Sequence, residues 1–125
     1  MVLRETGCTS LRVRPRHIEV QVLADGQGGV THLFERECSI QRQNQKVVEI
    51  APSPSLPDGL RQKLLADAIK LIAAADYRSA ATVEFLVERD MTEESGYVFM
   101  EVNPRLQVEV RLSMERMLRK LLNEW

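Results

Sequence analysis

Pro52, Pro54 and Pro57 divide the chain into two blocks. A proline ring fixes φ, removes an N–H and pushes the preceding residue out of the helical region, so no helix or sheet ladder can run through this segment. It is a stiff connector, and each block must form regular structure on its own side of it. Upstream, His17 to Val22 alternates polar and apolar, which predicts a strand with one buried face. Asp25-Gly26-Gln27-Gly28-Gly29 is a turn cluster, and Val30 to Phe34 reads as a second strand, so the pair is a hairpin. The glycine cluster joins strand to strand and opens no helix, so it is no phosphate-cradling loop. Glu35 to Lys46 is polar, and Val47 to Ile50 is a short strand.

Downstream, Leu60, Leu64, Leu65, Ala68, Ile69 and Ile72 recur at helical spacing. The helix is expected from about Asp58, with that carboxylate as its cap, to about Ala75. Thr82 to Val87 alternates, Met91 to Gly96 is a turn, and Tyr97 to Asn103 is a further strand. Val110, Met114, Met117, Leu118, Leu121 and Trp125 predict a last helix with one apolar stripe, which could pack on the sheet or drive self-association. Residues 1–14 show no period. No repeat or low-complexity segment interrupts the chain.

The chain has 125 residues, 44% hydrophobic and 28% charged, enough for one domain with a core. A net charge of −1 gives no argument for nucleic acid or an anionic membrane as partner. The apolar stretch around Ile69 to Ala75 is too short to cross a bilayer. Cys8 and Cys38 have no metal-like spacing and no disulfide framework, which fits reduced thiols in a reducing compartment. Cytoplasm is the default. The N-terminal arginines lack an apolar h-region and make no secretory signal. An ordinary chain start and a transit peptide, hence a mitochondrial address, both fit.

The chemistry concentrates late in the chain. Glu101, Asn103, Arg105, Gln107 and Glu109 alternate with Val102, Leu106 and Val108. In an extended chain these polar groups share a face. Alternation alone fits a solvated strand face as well as a site. Glu84 lies on the preceding strand, and a hairpin would set it beside Glu101 or Asn103. Facing carboxylates repel, and a divalent cation removes that penalty. Mg²⁺ or Mn²⁺ takes oxygen ligands, and Mg²⁺ commonly shares itself with substrate phosphates. The planar guanidinium of Arg105 suits a planar oxyanion. Glu109 is either a general base beside such an anion or an acid at the start of the next helix.

Four blocks in order, Pro15–Asp25, Glu35–Glu49, Thr82–Leu86 and Glu101–Glu109, resemble the biotin carboxylase family, which implies a partial domain at 15–109 between divergent ends at 1–14 and 110–125. The resemblance implies an α+β fold, the C-terminal portion of an ATP-grasp domain, mainly antiparallel sheet with helices packed on it. The reaction it implies is ATP- and bicarbonate-dependent carboxylation of biotin through carboxyphosphate. Biotin arrives on a carrier protein, and a carboxyltransferase consumes the product. By position, Glu84, Glu101 and Asn103 resemble the ligands of two Mg²⁺ or Mn²⁺ ions that bridge the ATP phosphates. His17 resembles a nucleotide contact, and Gln41 and Lys46 fall where the family meets nucleotide or bicarbonate. Asn44 stands where many members carry a histidine near the nucleotide, and an amide can still donate and accept. Arg105 resembles the arginine that holds bicarbonate, Val108 contributes backbone to that pocket, and Glu109 resembles the base.

The sequence departs from the family at Val110-Arg111-Leu112, where members continue with histidine and a threonine-rich segment. It contains no glycine-rich lid and not the lysines that grip ATP phosphates. The isolated chain is therefore expected to turn over little or no ATP. A non-catalytic nucleotide- or metal-binding module, or an interaction module, is the alternative.

Overall fold

The computed structural model describes residues 14–42 and 45–105, with residues 39–42 and 45–49 described by their backbone. The element order is β1 (Arg16–Asp25), β2 (Val30–Arg42), β3 (Gln45–Ile50), α1 (Asp58–Ala74), β4 (Arg78–Val87) and β5 (Tyr97–Asn103). The strands form one sheet in the order β3-β2-β1-β4-β5. All neighbours are antiparallel. The α+β, mainly antiparallel expectation holds.

β1 is the central strand. Ile18, Val20 and Val22 face Phe85, Val83 and Ala81 of β4 across the ladder. This apolar face is buried against Leu60, Leu64, Leu65, Ala68 and Ile72 of α1. Leu64 and Leu60 are fully buried, which at roughly 2 kcal/mol per large aliphatic side chain makes this layer the main source of stability. Phe85 adds edge-to-face contacts with Tyr97 and Phe99 at centroid distances of 5.8 and 6.4 Å.

The Asp25–Gly29 cluster is the hairpin turn its sequence implied. Asp25 Oδ1 accepts from the backbone N–H groups of Gln27 and Gly29 at 2.7 and 2.9 Å. Gly26 and Gly28 have φ of 74° and 93°, a region that residues with a Cβ enter at a cost.

Two local expectations need correction. Asp58 does not cap α1: Pro57 holds the cap position without a side-chain bond, and the Asp58 carboxylate instead pairs with Arg61 one turn on. The helix ends on a left-handed residue, Asp76 at φ 48°. There Asp76 N–H donates to Ala73 and Tyr77 N–H to Ile72, a Schellman closure that satisfies terminal carbonyls. The second strand also does not stop at Phe34, because β2 runs on to Arg42.

The reason lies at a bulge. Val20 pairs with Glu35 while Val22 pairs with His32, so Leu33 and Phe34 together oppose Gln21. Phe34 sits at φ 64°. The extra residue shifts the parity of β2. Beyond it, Glu35 and Glu37 point to the α1 side and Arg36 to the opposite face. Glu35 then accepts from Arg61 Nε at 3.0 Å. Glu37 accepts from Ser53 Oγ at 2.6 Å and pairs with Arg16 at 2.9 Å. These buried bonds tie the proline-rich connector and α1 to β2.

Candidate functional site

The sheet face opposite the α1 core is polar, and it is built by register. Arg36 of β2 is opposite Glu19 of β1. Glu19 is opposite Glu84 of β4, and Glu84 is opposite Glu101 of β5. One row across four strands therefore reads Arg36, Glu19, Glu84, Glu101, with three consecutive carboxylates closed at one end by a guanidinium. Like charges directly opposite on neighbouring strands destabilise a sheet.

Each carboxylate has partners. Arg36 Nε donates to Glu19 Oε2 at 3.0 Å. His17 Nε2 lies within hydrogen-bond distance of Glu84 Oε2 at 2.6 Å, and 3.8 Å from Glu19 Oε1. The Asn103 amide nitrogen donates to Glu84 Oε1 and, at 3.3 Å, to Glu101 Oε1, bridging the second and third. Arg36 also donates through Nη2 to Thr82 Oγ1 at 3.4 Å. Thr82 Oγ1 donates to Gln21 Oε1 at 3.1 Å, and Gln21 Nε2 donates to the Ala81 carbonyl at 2.8 Å. The network grades from dry to wet. Glu19, Gln21, Arg36 and Thr82 are fully buried, His17 and Glu84 nearly so, and Glu101 is exposed.

Ligand atoms of His17, Glu19 and Glu84 all lie within 4.8 Å of one another, the spacing of a group that can hold an ion. With Glu101 and the Asn103 amide at the wet end, the donor set is dominated by oxygen, which suits Mg²⁺ or Mn²⁺.

The structure thus brings together four of the residues singled out in the sequence, His17, Glu84, Glu101 and Asn103. Glu84 meets Glu101 directly, one of the two partners the hairpin offered, and it does so through a register shift between Glu84 and Phe85. The expected common face does not extend to Arg105. The strand ends at Asn103, and Arg105 N–H turns back to the Asn103 carbonyl at 2.8 Å around Pro104. Arg105 is exposed beyond that turn. Gln41 and Lys46 are paired across β2 and β3, with their side chains outside the described set. Asn44, Val108 and Glu109, and the expected last helix, lie outside the described residues.

Sequence reasoning assigned no role in the site to Glu19 or Arg36. Glu19 and Gln21 stand at the polar positions of the His17–Val22 alternation, and both are fully buried. The register of Arg36 depends on the bulge, which no glycine or asparagine marks.

The chain matches the family model described as carbamoyl-phosphate synthase L chain, ATP binding domain, over residues 10–116. It is 56% identical over 102 residues to pyruvate carboxylase 1 of Caenorhabditis elegans, covering 82% of this chain and 8% of that protein. The complete multifunctional pyruvate carboxylase of Rhizobium etli superposes with a TM-score of 0.77 at 48% identity, over 82% of this chain and 9% of that one. The biotin carboxylase domain of a thermophilic 2-oxoglutarate carboxylase, solved bound to bicarbonate, gives 0.74 at 43% identity, over 82% of this chain and 22% of that one. The chain therefore spans about a tenth of the two pyruvate carboxylases and about a fifth of an isolated biotin carboxylase domain. With its ordered sequence blocks, its antiparallel sheet and these matches, the chain belongs to the biotin carboxylase family of ATP-grasp domains.

Proposed function

We propose that this chain carries the cation- and phosphate-facing part of a biotin carboxylase ATP-grasp site. The parent activity is ATP- and bicarbonate-dependent carboxylation of biotin. The observation that carries this reading is the cross-strand row of Glu19, Glu84 and Glu101, with His17 bonded to Glu84 and Asn103 bridging Glu84 and Glu101. Facing acids repel across a sheet, and a divalent cation bound at the wet end would add to the compensation that Arg36, His17 and the Asn103 amide give.

Glu84, Glu101 and Asn103 are the residues proposed to hold Mg²⁺ or Mn²⁺. Asn103 now bridges both acids through its amide N–H₂, and the same amide turned over presents an oxygen. Bound there, the ion offsets negative charge on ATP phosphates during phosphoryl transfer. His17, held against Glu84, is proposed as a nucleotide contact. Arg105, exposed past the end of β5, is free to meet an oxyanion, and a planar guanidinium fits bicarbonate in two-point contact. The bicarbonate held by the 2-oxoglutarate carboxylase domain is consistent with that assignment. Glu109 is proposed as the base for bicarbonate, with Gln41, Asn44, Lys46 and the Val108 backbone completing the nucleotide and bicarbonate contacts. A biotin carrier protein and a carboxyltransferase are the partners of the parent enzyme.

Titration calorimetry with Mg-ATP tests the reading on the 125-residue chain. Saturable binding that is lost in Glu84→Gln and Glu101→Gln supports it. Absence of binding at millimolar Mg-ATP would leave a sheet that serves only as structure.

A further inference from the structure

We propose that Arg36 is a positioning residue for the cation site, acting through Glu19. This inference rests on the cation reading above and deepens it. Arg36 is fully buried, yet it lies on the face opposite the apolar core and so contributes nothing to the α1 layer. Burying a guanidinium is costly unless its hydrogen bonds and its charge are both matched. Here the fork is used in two directions, Nε to Glu19 on β1 and Nη2 to Thr82 on β4. The same side chain thereby spans the two strands that carry the first two acids of the row.

The consequence for Glu19 is directional. Its Oε2 is held by Arg36, so its Oε1 is the oxygen turned toward His17 and the cation-ligand spacing. A carboxylate beside a metal holds its aim only when a hydrogen bond outside the metal shell fixes it. The row's charge also matters. Three carboxylates and one guanidinium sum to two negative charges, the complement of one divalent ion. Lysine could supply the charge at this position but not the fork, because an ammonium is a point charge without fixed bond directions.

The test is Mn²⁺ binding, read from the free-Mn²⁺ electron paramagnetic resonance signal, on the full chain and on Arg36→Lys, Glu19→Gln and Arg36→Met/Glu19→Gln. Circular dichroism and urea unfolding confirm that each is folded. Arg36→Lys is expected to weaken Mn²⁺ about tenfold, the usual scale for loss of an outer-shell partner. The double variant is expected to bind Mn²⁺ within about twofold of Glu19→Gln, because an arginine that works through Glu19 has nothing left to position. If Arg36→Lys does not fold, Arg36→Met supplies the single-variant arm, with the same loss of Mn²⁺ affinity expected. An unchanged Kd in a folded Arg36→Lys overturns the proposal, since a purely structural ion pair would alter unfolding alone. A double variant much weaker than Glu19→Gln overturns it as well. If the wild-type chain binds no Mn²⁺, the cation reading itself fails and the proposal falls with it.

Discussion

Replacing Glu101 by glutamine should move stability in opposite directions with and without metal. Glu101 faces Glu84 in direct register at the wet end of the row. Taking the charges at about 5 Å, Coulomb's law gives roughly 3 kcal/mol of repulsion at an effective dielectric of 20, and under 1 kcal/mol in bulk water. Glu101 is exposed, so the value lies toward the water end, and the bridging Asn103 amide offsets part of it. Glutamine keeps an oxygen for that amide and removes the charge. In EDTA the variant should therefore gain about 0.5–1 kcal/mol, or several degrees in Tm for a domain of this size. In Mn²⁺ at about a hundred times the Kd, the wild-type chain should gain about 2.7 kcal/mol from binding, and the variant, having lost a ligand, distinctly less. Urea unfolding of both proteins in EDTA and in Mn²⁺ reads the crossing directly. A variant less stable than wild type in EDTA, or an equal Mn²⁺ gain in both, would refute the reasoning. One molar salt should shrink the EDTA difference, because screening acts on the exposed member of the pair.

Tyr97 donates to Asp67 Oδ2 at 2.7 Å, and burial followed by that hydrogen bond and charge pushes its phenol well above the ordinary range. Tyr97→Phe should cost about 1 kcal/mol in urea unfolding while keeping the ring packed on Phe85. His32 is held below its usual pKa, chiefly by burial and against the pull of Glu35. Its Nδ1 accepts from Phe34 N–H at 3.1 Å at the bulge. The unfolded chain thus binds the proton more readily, so this contribution is present above about pH 6.5 and fades as pH falls toward the folded value. His32→Gln should flatten that part of the stability profile, and an unchanged slope between pH 8 and 5.5 would contradict it.

Much of the fold was legible because apolar spacing decides it. The Leu60–Ile72 helix, the Asp25–Gly29 turn and the β4–β5 hairpin each announce themselves within a few residues of chain. Glu84 and Glu101 were legible as neighbours on adjacent strands of that hairpin, while their direct pairing depends on the register shift between Glu84 and Phe85. Glu19 was not. Alternation in His17–Val22 marks one face as apolar, but it cannot say whether the polar face is wet. That depends on Arg36, which is remote in sequence and reaches this face only through an unmarked bulge at Phe34. The extension of β2 was hidden similarly: Glu35, Arg36 and Glu37 look like a solvated loop until partners on β1, α1 and the connector are known. The turn at Pro104 also interrupts an alternation that would otherwise run from Glu101 to Glu109.

The most direct test of the site is Mn²⁺ titration of the 125-residue chain, with and without ATP, followed by the free-ion resonance signal and repeated on Glu84→Gln. Glu84 contacts both His17 and Asn103 and sits in the middle of the row. The expected result is saturable Mn²⁺ binding, strengthened by ATP and weakened at least tenfold in Glu84→Gln. Binding that Glu84→Gln leaves unchanged, or no binding by the wild-type chain, would contradict the assignment of this row as a cation site.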